Sequence, residues 1–321
     1  MTDSVTNASV TSASAATVLV TGASGLLGLN LSLSLQDKTR VVGICHQTHL
    51  QNTPFELIEA DLTDRQRLEQ VLNSVKPDVI VNCAALASLD RCEENPELAQ
   101  RINAEMPGWL ATWSNNNGCR LVHISTDAVF DGVTGGYRET DPTHPLGRYA
   151  ITKLGGEQNV LMNNPDALVC RVVFYGCSTS GKRSLVEYFY NNLSAGNSVN
   201  GFTDVFFCPL FVMDLSNILW RMIQRRLSGL YHVVSPECLS KYDFGVQVAR
   251  TFGFSENLIK PISWRDAGLR AARSPNLRLL TGKIQNALGE AMPDQAAGLQ
   301  GFRKQVEAGY PIYIKSFVKM V

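Results

Sequence analysis

The chain of 321 residues carries no excess of charge, with 29 Lys and Arg set against 29 Asp and Glu. That balance removes the electrostatic footprint of a nucleic-acid binder or of a protein seated on an anionic membrane. No apolar run approaches the roughly 18 residues of a membrane span. Among the eight cysteines no CxxC pair occurs, and they are scattered through apparent strands and helices. They read as reduced thiols of a cytoplasmic protein. Cys45, His46 and His49 share one short loop, which is too few ligands for a metal site, and none is expected. The opening MTDSVTNASVTSASAA lacks the basic start and apolar core of a signal peptide, and the arginine of a transit peptide. It reads as a disordered tail over 1–16, with the fold beginning near Thr17.

What is present fits a globular chain: hydrophobic content is 45% and charge 18%. TVLVT, RVVGIC, FELIEAD, DVIVNCAA, CRLVHIST and ALVCRVVFYG are short apolar strands. Helical stretches separate most of them. Leu68, Val71, Leu72 and Val75 recur at three- and four-residue spacing before the stop at Pro77, and Glu94 to Asn116 reads as one helix. Such alternation predicts an α/β fold with a Rossmann-type doubly wound parallel sheet. After Tyr175 the rhythm breaks into aromatic-rich mixed segments. The expected division is 17–175 for a nucleotide-binding domain. Residues 176–321 then form mainly a smaller C-terminal substrate lobe, with some segments returning to the first domain.

Gly22, Gly25 and Gly28 form TGxxGxxG between the first strand and the first helix. One glycine permits a tight turn, one lets backbone approach a pyrophosphate, and one lets helix pack on strand. The helix N-terminus then faces the phosphate charge. Gly22, Ser24, Gly25, Leu26, Leu27 and Gly28 are therefore candidate cofactor residues. An acidic residue about 20 positions on would bind a ribose 2′-hydroxyl and mark NAD. The second strand ends instead at Cys45-His46-Gln47-Thr48-His49. With His46 at that position and no carboxylate, NADP is permitted and slightly favoured over NAD. Asp61 and Leu62 are placed to meet an adenine, although Asp61 also suits a turn or helix cap. Cys83, Ala84 and Ala85 end the fourth strand, where small side chains let a cofactor approach.

Tyr149 and Lys153 are four apart in a predicted helix after Pro145-Leu146-Gly147, so phenol and ammonium share a face. Free tyrosine titrates about three units above neutrality. Closing that gap takes on the order of 4 kcal/mol of differential stabilisation. A lysine cation nearby has the right sign to lower the phenol. Thr126, at the end of a strand, would reach a substrate oxygen in the same crevice. The plainer account of YxxxK alone is an exposed helix with a packed tyrosine. The glycine turn and the Ser125-Thr126 pair upstream make dehydrogenase chemistry the better reading.

TGASGLLG, KPDVIVNCAA, STDAVFDG, YRETDPTHPLGRYAITKLGGE and, more loosely, RSPNLRLLTGKI resemble the extended short-chain dehydrogenase/reductase superfamily. They look most like the dTDP-4-dehydrorhamnose reductase family. The resemblance implies NAD(P)H-dependent reduction of a nucleotide-linked 4-keto-6-deoxy sugar. By that match Tyr149 is the proton donor, Lys153 holds the ribose, and Thr126 binds the ketone oxygen beside Asp127 and Phe174. A homodimer is left open. Three departures fall on the expected substrate side: Ala128 where the family has tyrosine, Arg171 to Gly176 without its tryptophan, and Ser274 between Arg273 and Pro275. Ala128 also argues against a 4,6-dehydratase, which needs an acidic pair after the threonine. A sugar-nucleotide 4-epimerase is one alternative, and a regulatory subunit resembling that of methionine adenosyltransferase is another.

Arg171, Lys182, Arg183 and Arg273 are candidates for a substrate diphosphate, each set against a solvated or structural role. Trp109 and Trp113 read as core, Cys83 and Cys170 as buried and inert thiols, and His123 as a packed histidine.

Overall fold

The computed structural model describes residues 16–268 and 274–318. The expected tail therefore lies outside the described residues except for Ala16, as does Arg273.

Seven strands form one parallel sheet: β1 (Thr17–Thr21), β2 (Arg40–Cys45), β3 (Glu56–Glu59), β4 (Val79–Asn82), β5 (Arg120–Thr126), β6 (Leu168–Val172) and β7 (Gly229–Val233). Their order is β7-β6-β5-β4-β1-β2-β3, every neighbouring pair parallel. β6 is buried throughout, as is β4, because helices cover both faces of the sheet. Alternation along β1 divides the core. Val18 and Val20 pack on one side with α1 (Leu26–Leu35), and Leu19 packs on the other with α2 (Arg65–Val75). The second side also takes α3 (Met106–Asn116) and α4 (Arg148–Asn163), while α5 (Val212–Gln224) joins α1 on the first.

The chain reverses direction of winding at β1, whose neighbours are β2 and β4. A crevice opens at the carboxyl ends of such strands. Buried side chains tie those ends together. Thr21 Oγ1 donates to Asn82 Oδ1 at 2.6 Å, and Asn82 Nδ2 lies 3.0 Å from His123 Nδ1. Burial, then the charge of Lys153, holds His123 well below the usual histidine range, so it accepts that bond as a neutral ring.

The helix expected over Glu94–Asn116 is not continuous. Pro96–Gln100 leads into one wide π turn, Arg101–Glu105, before α3 begins. The wide turn delivers the fully buried Asn103 inward. Its Oδ1 accepts from Leu86 N at 2.9 Å, and its Nδ2 donates to Leu86 O and Thr152 Oγ1, each at 3.1 Å. Periodicity cannot reveal such an insertion, because the apolar spacing on either side stays helical.

Beyond Tyr175 the chain contributes both to the sheet, through α5 and β7, and to short strand pairs beside it. Val199–Phe202 pairs with Ile259–Ile262, and Phe206–Phe207 pairs antiparallel with Leu239–Ser240 ahead of α6 (Lys241–Phe252). The aromatics concentrate there: Phe244 meets both Tyr175 and Phe207 edge-on. Trp109 and Trp113 pack against the second core, as read from the sequence.

Candidate active site

The glycine turn needs its glycines for two different reasons. Gly22 sits at φ +65°, and a Cβ there would stand 2.9 Å from Ala84 N. A Cβ at Gly28 would run into the Gly22 carbonyl, so α1 could not lie this close to the turn. Gly25 is the N-cap of α1 and supplies no side-chain bond, which leaves the helix's first N–H groups for a ligand. Leu26 and Leu27 turn their side chains into the core and offer only backbone to that ligand. Gly28→Ala is expected to abolish dinucleotide binding, checked by NADPH fluorescence titration with circular dichroism as the folding control. Retained affinity would remove the turn from the site.

Above the turn lies a cavity of about 440 Å³. Gly22, Ser24, Gly25, His46, Asp61, Leu62, Cys83, Ala84 and Ala85 all line it. Asp61 serves its local turn as well, accepting from Thr63 N at 2.9 Å and from Thr63 Oγ1 at 2.8 Å. The fold adds Arg91, Leu98, Ile102 and Arg183, which come from distant segments. Arg183 Nη1 donates to Ser24 O at 3.4 Å, so this arginine stands at the glycine turn. Glycine turn, open helix end and arginine together fit the pyrophosphate of a dinucleotide. Cys45, His46 and His49 do not converge: the Cys45 thiol turns to Ile58 O and His49 pairs with Glu59 at 3.1 Å. Among the described residues no group of three or more His, Cys, Asp or Glu could hold a metal ion.

A second cavity, of about 570 Å³, is lined by Asp127, Ala128, Tyr149 and Val173 together with Val205, Phe206, Phe207 and Lys241. Phe174 packs on the main core, and Val173 forms the wall in its place. Lys241, the two phenylalanines and Glu93 were invisible to the sequence reading, since nothing local marks them. Glu93 Oε1 accepts from Arg148 N at 2.7 Å and so caps α4, the helix that carries Tyr149 and Lys153.

Tyr149 lines the second cavity, whereas Thr126 and Lys153 are buried and line neither. Thr126 hydrogen-bonds the Tyr149 phenol and donates to Asp127 Oδ1 at 3.1 Å. Lys153 Nζ donates to Ile124 O at 2.6 Å and lies close enough to Cys83 for their charges to couple. Burial lowers the Lys153 ammonium to about 8, against the pull of Glu157. Burial pushes the Tyr149 phenol up to about 12; the Thr126 hydrogen bond opposes this and the charge of Asp127 adds to it. Lys153 is not among the groups acting on the phenol here, where burial is the largest influence.

Arg171, a candidate for a substrate diphosphate, is held elsewhere. Its Nη2 donates to Glu157 Oε2 at 2.8 Å, both side chains being almost fully buried. Lys182 is exposed.

Burial also lifts Asp127 to about 6. A carboxyl raised in the fold holds its proton there longer than in the unfolded chain. Its contribution is full below about pH 4 and is lost as pH rises toward about 6. Asp127→Asn is expected to flatten that slope and to stabilise the chain at neutral pH by up to about 3 kcal/mol. Urea denaturation across the window checks it, and an unchanged slope would refute it.

Known proteins share this arrangement. The sequence profile described as the RmlD substrate binding domain matches residues 16–308. The chain belongs to the RmlD substrate-binding-domain family. A relative from Haloferax volcanii, named "Probable low-salt glycan biosynthesis reductase Agl14", is 33% identical over 288 residues, covering 88% of this chain and 96% of that one. Methionine adenosyltransferase 2 subunit beta of Xenopus laevis is 30% identical over 286 residues, covering 86% and 84%. The crystal structure of dTDP-4-dehydrorhamnose reductase from Bacillus anthracis in complex with NADP superposes with a TM-score of 0.78. It is 26% identical and covers 91% of this chain and 99% of its own. The seven-stranded Rossmann-type sheet is thus the fold of this RmlD family member as well. Among its described residues no helix is long and apolar enough to cross a membrane.

Proposed function

We propose that this chain is an NAD(P)H-dependent reductase of a nucleotide-linked 4-keto-6-deoxy sugar such as dTDP-4-dehydrorhamnose. The observation that carries the reading is the position of Tyr149, on the wall of the second cavity and one side chain from Thr126, with Lys153 toward the dinucleotide cleft. Related proteins named as reductases, one of them with NADP bound, support it.

Gly22, Ser24, Gly25 and Arg183 would hold the pyrophosphate, Asp61 and Leu62 the adenine, and Lys153 the ribose. A bound reduced nicotinamide would supply a hydride to the ketone carbon. Thr126 would orient the ketone oxygen by turning its one hydroxyl proton from Asp127 Oδ1 toward it. Tyr149 protonates that oxygen as charge develops there, and its raised phenol keeps the proton in place until then. Asp127 and Lys241 line the cavity as one buried carboxyl and one ammonium, and would meet the sugar's polar groups. Residues 17–175 form the cofactor domain and 176–321 mainly the substrate lobe, with α5 and β7 returning to the sheet. Free cysteines support a cytoplasmic setting.

The test follows nicotinamide absorbance after purified protein is mixed with dTDP-4-dehydrorhamnose and NADPH or NADH. Oxidation establishes the reductase and ranks the two cofactors. A non-catalytic, regulatory role is the alternative that the same experiment tests. Cofactor binding without turnover would be its sign.

A further inference from the structure

Two cysteines that the reductase reading does not use face each other behind the second cavity. Phe206–Phe207 and Leu239–Ser240 pair antiparallel, with Phe207 opposite Leu239 and Phe206 opposite Ser240. The ladder ends there, and Cys208 and Cys238 are the next residues out on its two chains. Lys241 N donates to Val205 O at 3.0 Å, which marks Val205 and Lys241 as a hydrogen-bonded pair. Carried one residue further, the same register would make Cys208 and Cys238 a non-hydrogen-bonded pair, a class whose Cα atoms approach to about 4.5 Å. A disulfide needs Cα atoms about 4.4–6.8 Å apart, so the register suits one without backbone movement.

The two thiols are unequal. Cys208 is fully buried, whereas Cys238 is only partly covered. The Cys208 thiol hydrogen-bonds the Cys238 sulfur, which lowers Cys238 and raises Cys208, and the Arg278 guanidinium lowers Cys238 further. The Asp127 carboxylate raises both. Cys238 is thus the more accessible and the more acidic of the two thiols, with its partner already in contact.

We propose that Cys208 and Cys238 are a reversible dithiol–disulfide site, oxidised by a small or protein disulfide. The Cys238 thiolate attacks one sulfur of the incoming disulfide, forms a mixed disulfide and releases one thiol. Cys208 loses its proton, attacks the Cys238 sulfur and releases the second thiol. One external disulfide is reduced to two thiols as the internal bridge forms. The bridge pins the strand pair that carries Phe206, Phe207 and, at the start of α6, Lys241. Oxidation would therefore fix one wall of the second cavity.

The test treats the full chain with oxidised glutathione and maps peptides under non-reducing conditions. The expected result is a Cys208–Cys238 linked peptide, two of the eight thiols lost together, and full reversal by dithiothreitol. Glutathione remaining on Cys238 without a bridge, or no reaction at either cysteine, would overturn the proposal. Cys208→Ser should trap the mixed disulfide on Cys238, and Cys238→Ser should leave Cys208 unreactive. Reaction of Cys208 in the latter variant would overturn the assignment of the attacking thiol. Mapping of the unsubstituted chain decides the bridge itself even if a serine variant misfolds.

Discussion

Tyr149→Phe is expected to lose about 10²–10⁴-fold in kcat while dinucleotide affinity is unchanged. The phenol lies on the cavity wall within reach of Thr126 and would give its proton to a ketone oxygen held there. Phenylalanine keeps the ring and its packing but has no proton to give. The fold should tolerate the change, because Thr126 retains its bonds to Asp127 Oδ1 and Ala128 N, at 3.1 and 3.2 Å. Affinity should persist because the glycine turn and Arg183 line the other cavity. Steady-state rates with NADPH, beside a fluorescence titration of cofactor, separate the two effects. A variant with full activity would remove Tyr149 as the acid. Lost cofactor binding would instead mean that the tyrosine shapes the dinucleotide cleft.

Glu157→Ala should lower stability by about 3–5 kcal/mol, the cost of leaving a buried charge without its partner. Glu157 Oε1 accepts from Ser125 Oγ at 2.5 Å and from Arg171 Nε at 2.9 Å, while Oε2 takes Nη2 at 2.8 Å. Without the carboxylate, Arg171 keeps only His232 Nε2, at 3.4 Å, and the face of Phe130, at 4.9 Å. Neither carries a negative charge, and burial with the Arg171 charge holds His232 down to about 3, so the ring is neutral. Denaturant midpoints measure the loss. A paired replacement, Glu157→Leu with Arg171→Met, should recover most of it, since burying neither charge avoids the desolvation cost. The same carboxylate also supports the Lys153 charge. The basic limb of activity should therefore move to lower pH in Glu157→Gln, a shift that damaged packing alone would not produce.

The parts of this site that were legible in the sequence are those whose geometry is local. Gly22 and Gly28 are dictated by a left-handed turn and by the turn's own carbonyl six residues back, so their spacing is visible in a line of text. Tyr149 and Lys153 share a helix face by the period of the helix. The strands of a doubly wound sheet announce themselves as unbroken apolar runs, since both faces are covered. Pairing on one face does not say where an ammonium points. Lys153 turns to Ile124 O, and burial then governs the phenol.

Arg183 at the glycine turn, Lys241 and Phe206 on the second cavity, and β7 at the edge of the sheet depend on where distant segments return. The same holds for Asn103, whose inward position needs an inserted residue that leaves the apolar period intact. By itself the sequence determined the dinucleotide turn, the helix face and the layered α/β class, because short-range sterics and hydrophobic period decide each. Only the tertiary structure decided which charges are buried, which are paired, and which side chains close the second cavity, because desolvation and contact arise when remote parts of the chain meet.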